Sequence, residues 1–194
     1  MIFRRSSGAP MPPAWELHPF LHQVPEISKP TSLVFDLRSW RRRRCPRLCG
    51  RRLLAQRCAV AARARNICES LRFQRNSGLR ALNSAVTYDQ TQPFARSLAE
   101  FFAEQQPTQI VAEMAKSERH GKVLVDWSQN SDFKTTVGVY SLRAKLHRPF
   151  VSCPVTWDEL QKAVHKRKPG ALFFDPETTL KRLDSLGDLL EKVN

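Results

Sequence analysis

What this chain lacks narrows its identity before any motif is read. No stretch of its 194 residues approaches the ~18 consecutive apolar residues that a membrane-spanning helix needs, so no membrane role is expected. No apolar leader follows Phe3-Arg4-Arg5, which runs instead into prolines and Trp15-Glu16, so export is not expected and a cytoplasmic location is. An even set of cysteines is missing too. Five thiols without an export signal argue against a disulfide framework.

The most informative absence is local. Between Arg38 and Leu82 there is no lysine and a single acid, Glu69, against 14 arginines, a net of +13. The flanks are nearly neutral: residues 1–37 carry three bases and three acids, and residues 83–194 carry 15 bases and 14 acids. The formal charge of +14 suggests a nucleic-acid binder, yet it belongs almost wholly to one insert-like segment. Four of the five cysteines, Cys45, Cys49, Cys58 and Cys68, fall there as well.

A phosphate-tracking arm usually mixes Lys with Arg and adds Gly or Ser. This segment places Ala, Leu and Cys between its arginines. Leu53 to Ala62 is rich in helix formers but shows no apolar stripe to seat a helix on a core. Arginine without lysine, with scattered cysteine, is also what GC-rich DNA yields in a shifted reading frame. The cysteine spacings are irregular and give no second tight pair, which argues against zinc. Arg41, Arg42, Arg43 and Arg44 could hold phosphates by charge alone.

The flanks read as α/β. Thr31 to Asp36 is a short apolar, β-branched run bounded by Pro30, predicted as a strand ending at Asp36. Pro93 to Gln106 is predicted as a helix with Phe94, Leu98, Phe101 and Phe102 on one face, stopped by Pro107. Ile110, Val111 and Met114 suggest a second, shorter helix. Lys122 to Asp126 is a further strand, Ser128 to Asp132 is turn chemistry, and Lys134 to Tyr140 is predicted to complete a hairpin. Thr156-Trp-Asp-Glu159 is a capping box opening a helix to about His165. Asp175-Pro176 starts a last helix, with Leu180, Leu183, Leu186 and Leu190 as its apolar face.

Two predicted strands thus end in aspartate, Asp36 and Asp126. Carboxylates at neighbouring strand ends form a hard-oxygen site for Mg²⁺ or Mn²⁺, and two such ions can align an attacking and a leaving oxygen. A second acid two residues beyond Asp36 would face the same way. That position is Arg38, a fixed cation expected to repel a metal. Arg119 and Arg143 are candidates to clamp a triphosphate.

The run Ala112-Glu-Met-Ala-Lys116-Ser-Glu-Arg119-His-Gly121-Lys-Val-Leu-Val-Asp126-Trp-Ser-Gln-Asn130 is followed by Val139-Tyr-Ser-Leu-Arg143 and Trp157-Asp-Glu-Leu160. Together these resemble the polymerase domain of bacterial ATP-dependent DNA ligase D. His18-Pro-Phe-Leu21 and Pro30-Thr-Ser-Leu-Val-Phe-Asp36-Leu37 are similar to the same family. The resemblance covers residues 16–37 and 83–194 and breaks off over residues 38–82, where the charge also changes.

The resemblance implies a primase-like α/β fold, here a remnant with an incomplete mixed or antiparallel sheet and flanking helices. Residues 1–15 would be an unstructured extension and residues 38–82 disordered or irregular. It implies a metal-dependent nucleotidyltransferase that adds NTP or dNTP to DNA ends in non-homologous end joining. Asp36 and Asp126 would be catalytic metal ligands for Mg²⁺ or Mn²⁺, and Arg119 and Arg143 would hold the nucleotide. A ligase domain or polypeptide and the end-binding Ku protein would be partners, in a bacterial, nucleoid-associated setting. The family's first metal motif, Asp-Leu-Asp-Pro-Gly, survives here only as Asp36-Leu37, with Arg38 in place of the second aspartate. Impaired catalysis is therefore expected. Two other readings stand beside this one: a non-specific nucleic-acid-binding module built on the arginine segment, and a frameshifted product without function.

Overall fold

The computed structural model describes residues 16–39, 72–74, 77–82, 84–143 and 149–190. A six-stranded sheet forms its centre. The strands are β1 (Ser32–Ser39), β2 (Arg72–Gln74), β3 (Ser77–Ala81), β4 (Ile110–Val111), β5 (Val123–Asp126) and, after a separate small ribbon of β6 (Leu142–Arg143) and β7 (Phe150–Val151), β8 (Pro154–Val155). Their order is β4-β5-β1-β3-β2-β8. β4 runs parallel to β5, and every other pairing is antiparallel. The expected mixed sheet with flanking helices is therefore present.

β1 alternates strictly, as a strand with two different faces must. Leu33, Phe35 and Leu37 point into the main core together with Val123 and Val125 of β5. Helix α1 (Tyr88–Gln105) covers that face through Ala95, Ala99 and Phe102, and α2 (Trp157–His165) adds Leu160 and Ala163. Val34, Asp36 and Arg38 point the other way, which leaves the two charged residues on the outer face.

Helix α1 begins five residues before the predicted start. The Gln90 side-chain oxygen accepts from the Thr87 backbone N–H at 3.0 Å, and Tyr88 and Thr91 are buried. Those gains outweigh the missing hydrogen bond at Pro93, which lies inside the helix. The buried stripe is Tyr88, Thr91, Ala95, Ala99 and Phe102, so the predicted face holds in part: Phe102 is buried and Leu98 packs against the core, but Phe94 and Phe101 are exposed. Small alanines let the helix axis approach the sheet, and those two rings are turned outward.

Other expectations need correction. Ile110–Val111 is a strand, not a helix; two β-branched residues after Pro107 suit a pleated edge beside β5. β1 does not stop at Asp36 but continues through Arg38 and Ser39, which pair with Leu124 and Val123. Lys134 to Tyr140 does not return along β5. It lies against the incoming chain instead, with the Thr136 and Gly138 N–H groups donating to the carbonyls of Pro19 and Leu17 at 3.1 and 2.8 Å. Gly138 permits this approach, because a Cβ there would come within 3.3 Å of the Pro19 ring. Most of the segment predicted irregular, residues 38–82, lies outside the described residues. Its described portions are in the sheet, where β3 pairs with β1 over five positions.

Both predicted caps of the last two helices are formed. Glu159 and Thr156 exchange capping-box bonds at α2, and the Asp175 carboxylate accepts from the Thr178 N–H at 2.7 Å at the start of α3 (Pro176–Leu186). The leucines of α3 are not core: Leu180 is 63% exposed and Thr179 is the buried residue. What holds α3 down is Arg182. Its guanidinium forks onto both Glu159 oxygens, donates to the Pro154 carbonyl at 3.0 Å and lies over the Phe174 ring. Burial pushes the Glu159 pKa up, but the Arg182 and Thr156 bonds outweigh it and hold the carboxyl below its ordinary range.

One buried side chain stitches the turn after β5 to β1. Asn130 is 1% exposed; its Oδ1 accepts from Val34 N–H at 2.9 Å, and its Nδ2 donates to the Val34 and Trp127 carbonyls at 2.8 Å each. The amide thus acts as a one-residue strand partner for β1. Asn130→Ala strands the buried Val34 N–H and carbonyl, whereas the Trp127 carbonyl keeps the residue-130 backbone N–H, and the expected loss is about 2–4 kcal/mol in urea denaturation; a loss under about 0.5 kcal/mol contradicts this role.

Candidate two-carboxylate site

The site is built by register. β1 and β5 are neighbours, and Asp36 stands directly opposite Asp126 across the ladder. Directly paired residues share a face, so the two carboxylates project together from the outer side of the sheet. The two strand-end aspartates read from sequence are brought together. Arg38, two residues beyond Asp36, projects from the same face.

Arg38 does not merely stand nearby. Its Nε donates to Asp36 Oδ2 at 2.8 Å, and its Nη2 makes an ion pair with Asp126 Oδ2 at 3.2 Å. One guanidinium therefore bridges both carboxylates with two different nitrogens, the geometry for which this planar group is suited. Burial lowers the Arg38 pKa, but the Asp36 hydrogen bond and the charges of Asp36 and Asp126 outweigh it, so the group is held above its ordinary value. Arg38, expected from sequence to repel a metal, is thus paired with one oxygen of each carboxylate.

Asp126 is the better-held acid, with a side chain 5% exposed against 24% for Asp36. The chain turns directly after β5 into a single 3₁₀ turn, Trp127–Gln129, which Asp126 caps. Its Oδ1 accepts from the Ser128 N–H at 3.1 Å and the Ser128 hydroxyl at 2.6 Å, and Oδ2 accepts from Gln129 Nε2 at 3.3 Å. Lys134 donates to the Ser128 Oγ at 2.7 Å. Ser128, Gln129 and Lys134 were not singled out from sequence, although a serine two residues after a strand-end aspartate is a capping signal.

The two candidate phosphate clamps have other partners. Arg119 ends the 3₁₀ turn Ser117–Arg119 ahead of β5 and donates to the Met114 carbonyl. Arg143, on β6, pairs with Glu16 at 3.6 Å, and Glu16 in turn meets His18 at 3.2 Å. Among the described residues neither arginine makes a hydrogen bond or ion pair with Asp36 or Asp126. Arg41, Arg42, Arg43 and Arg44 lie outside the described residues, as do Cys45, Cys49, Cys58 and Cys68. No group of three His, Cys, Asp or Glu side chains gathers to hold a metal ion among the described residues, and no described helix is long and apolar enough to cross a membrane.

Comparison with known proteins places these features in a family setting. The family described as "LigD, primase-polymerase domain" matches residues 12–190. The multifunctional non-homologous end joining DNA repair protein LigD of Mycobacterium tuberculosis H37Rv is 33% identical over 151 residues, covering 73% of this chain and 19% of that protein. The multifunctional non-homologous end joining protein LigD of Mycolicibacterium smegmatis is 43% identical over 100 residues, covering 52% of this chain and 12% of that protein. The solved polymerase domain from Mycobacterium tuberculosis Ligase D in complex with DNA is similar with a TM-score of 0.72 and 28% identity, over 93% of this chain and 63% of that one. The chain thus spans under a fifth of the length of these curated relatives.

The bridge makes Asp126 a stability residue as well as a candidate functional one. Asp126→Asn keeps an oxygen for Ser128 but puts an N–H donor where Oδ2 meets the half-exposed Arg38 and Gln129, and is expected to cost about 1–2 kcal/mol in denaturant titration. Asp36→Asn, at the more exposed end, should cost less. Equal and negligible costs contradict the bridge.

Proposed function

The chain belongs to the LigD primase-polymerase domain family, and from that membership we propose that it engages DNA ends in non-homologous end joining as a weakened nucleotidyltransferase. The observation that carries the reading is the β1–β5 register, which sets Asp36 against Asp126 on the outer face of the sheet. Such a pair is where a polymerase of this type would gather divalent metal and incoming nucleotide.

The residues present do not fit a two-metal centre. Two carboxylates stand where the family motif has three, and a guanidinium spans the remaining pair. No catalytic step is therefore assigned through Mg²⁺ or Mn²⁺. The chain's own groups would bind and orient. Asp36 and Asp126 would fix the reacting end of the site, and Arg119 and Arg143 would meet phosphate oxygens of NTP or dNTP once released from the Met114 carbonyl and from Glu16. For Arg143 the Glu16 carboxylate stands in for a phosphate oxygen, since both are anionic acceptors. A ligase domain, fused or separate, and an end-binding protein such as Ku are the partners this role calls for, in a bacterial cell and near the nucleoid.

The arginine segment supports a second contribution. Its net charge of +13 over residues 38–82 favours phosphate contact without base preference.

Two measurements test the proposal together. Fluorescence anisotropy with a short DNA duplex bearing a 3′ overhang should give binding that weakens steeply as salt rises. Primer extension with Mn²⁺ and labelled nucleotides should run at least ~100-fold below the Mycobacterium tuberculosis polymerase domain, the scale of losing one charged stabiliser. Absence of DNA binding at low salt overturns the end-joining role. Extension at the relative's rate, abolished by Asp126→Ala, overturns the weakening.

A further inference from the structure

We propose that Arg38 is a built-in counter-cation that takes the place of the divalent ion, so that the carboxylate pair is complete and stable without metal and a single substitution at this position restores ion binding. The inference rests on the reading of Asp36 and Asp126 as the site's carboxylates and adds how that site is controlled.

The argument is an inventory of oxygens. A bridging ion needs one free oxygen from each carboxylate, with further donors around it. Asp36 Oδ2 is bound to Arg38 Nε, and Asp126 Oδ2 to Arg38 Nη2 and Gln129 Nε2. Asp126 Oδ1 is bound to the Ser128 N–H and hydroxyl. A carboxylate oxygen that accepts one hydrogen bond keeps a second lone pair, so what stands against a bridging ion is that one guanidinium already pairs with Oδ2 of both acids. A cation between the two acids is therefore already in place.

Charge points the same way. Two carboxylates and one guanidinium carry a net −1, where three carboxylates would carry −3. Divalent-ion affinity follows the number of charged oxygen ligands, so replacing the acid by a base acts twice, once by removing a ligand and once by adding repulsion. The guanidinium stays protonated at any pH the fold survives. It is tethered to β1, two residues from Asp36, so it competes at the high effective concentration of an intramolecular partner. A mobile ion must displace it from both acids at once. Arg38 is on an ordered strand paired to Leu124, which fixes the start of its side chain at the mouth of the pair.

The test uses Mn²⁺ alone, with free ion followed by electron paramagnetic resonance, on the whole chain and on Arg38→Asp and Arg38→Asn, each checked for folding by circular dichroism. No DNA or nucleotide is present, so failure of the end-joining role leaves this result intact. The unaltered chain should show no saturable Mn²⁺ site in the millimolar range. Arg38→Asp should bind at least ~100-fold more tightly and Arg38→Asn ~10-fold more tightly, in the order of their ligand charge. Mn²⁺ should raise the melting temperature of Arg38→Asp most, that of Arg38→Asn less and that of the unaltered chain not at all, in the order of their affinities, and Asp126→Asn added to Arg38→Asp should abolish the gain. If Arg38→Asp does not fold without metal, the tenfold gain of Arg38→Asn decides. Saturable Mn²⁺ binding by the unaltered chain within about threefold of the folded variants, or folded variants that bind no better than it does, overturns the proposal.

Discussion

The pairing of β1 with β5 is the constraint on which the rest depends. Because Asp36 lies opposite Asp126, the alternation of a strand decides everything nearby. Leu33, Phe35 and Leu37 must enter the core under α1, while Asp36 and Arg38 must leave it on the other side. A one-residue slip would bury a carboxylate among Phe102, Val123 and Val125 and expose three large apolar side chains, so the register is strongly specified. Asn130 secures the same seam from outside the ladder by occupying the Val34 backbone. Core and site are thus two faces of one pairing.

Much of this was legible before the coordinates. Asp36 and Asp126 were identifiable because an apolar run ending in an acid is a strong local signal, and the capping box at Thr156 and the N-cap at Asp175 were identifiable because caps are short-range chemistry. Non-local packing was not. Nothing in Ile110-Val111 alone distinguishes a helix turn from an edge strand. The choice is made by β5 lying alongside. The predicted hairpin failed because Lys134 to Tyr140 finds its backbone partners more than a hundred residues away in sequence, at Leu17 and Pro19. The predicted face of α1 held at Leu98 and Phe102 and failed at Phe94 and Phe101, because the close approach of helix and sheet selects alanine, a decision no single helix contains.

Arg38 shows the limit most clearly. Its charge and its direction could be read from the sequence, and both gave the correct sign: a cation facing the carboxylates. That it spans the two acids with two separate nitrogens follows only from the ladder, which sets both Oδ2 atoms within reach of one fork. Arg38 also neutralises the repulsion that two adjacent carboxylates would otherwise carry. A charged seam and a folded sheet are therefore not in conflict in this chain, which is similar to a DNA-bound polymerase domain over 93% of its length.

The most direct test of this account is a crystal structure of the chain grown with Mn²⁺, with an anomalous difference map recorded at the manganese edge. Continuous density from the Arg38 guanidinium to both aspartates, with no anomalous peak between them, is the result expected. A manganese peak coordinated by Asp36 and Asp126, with Arg38 swung into solvent, would contradict it.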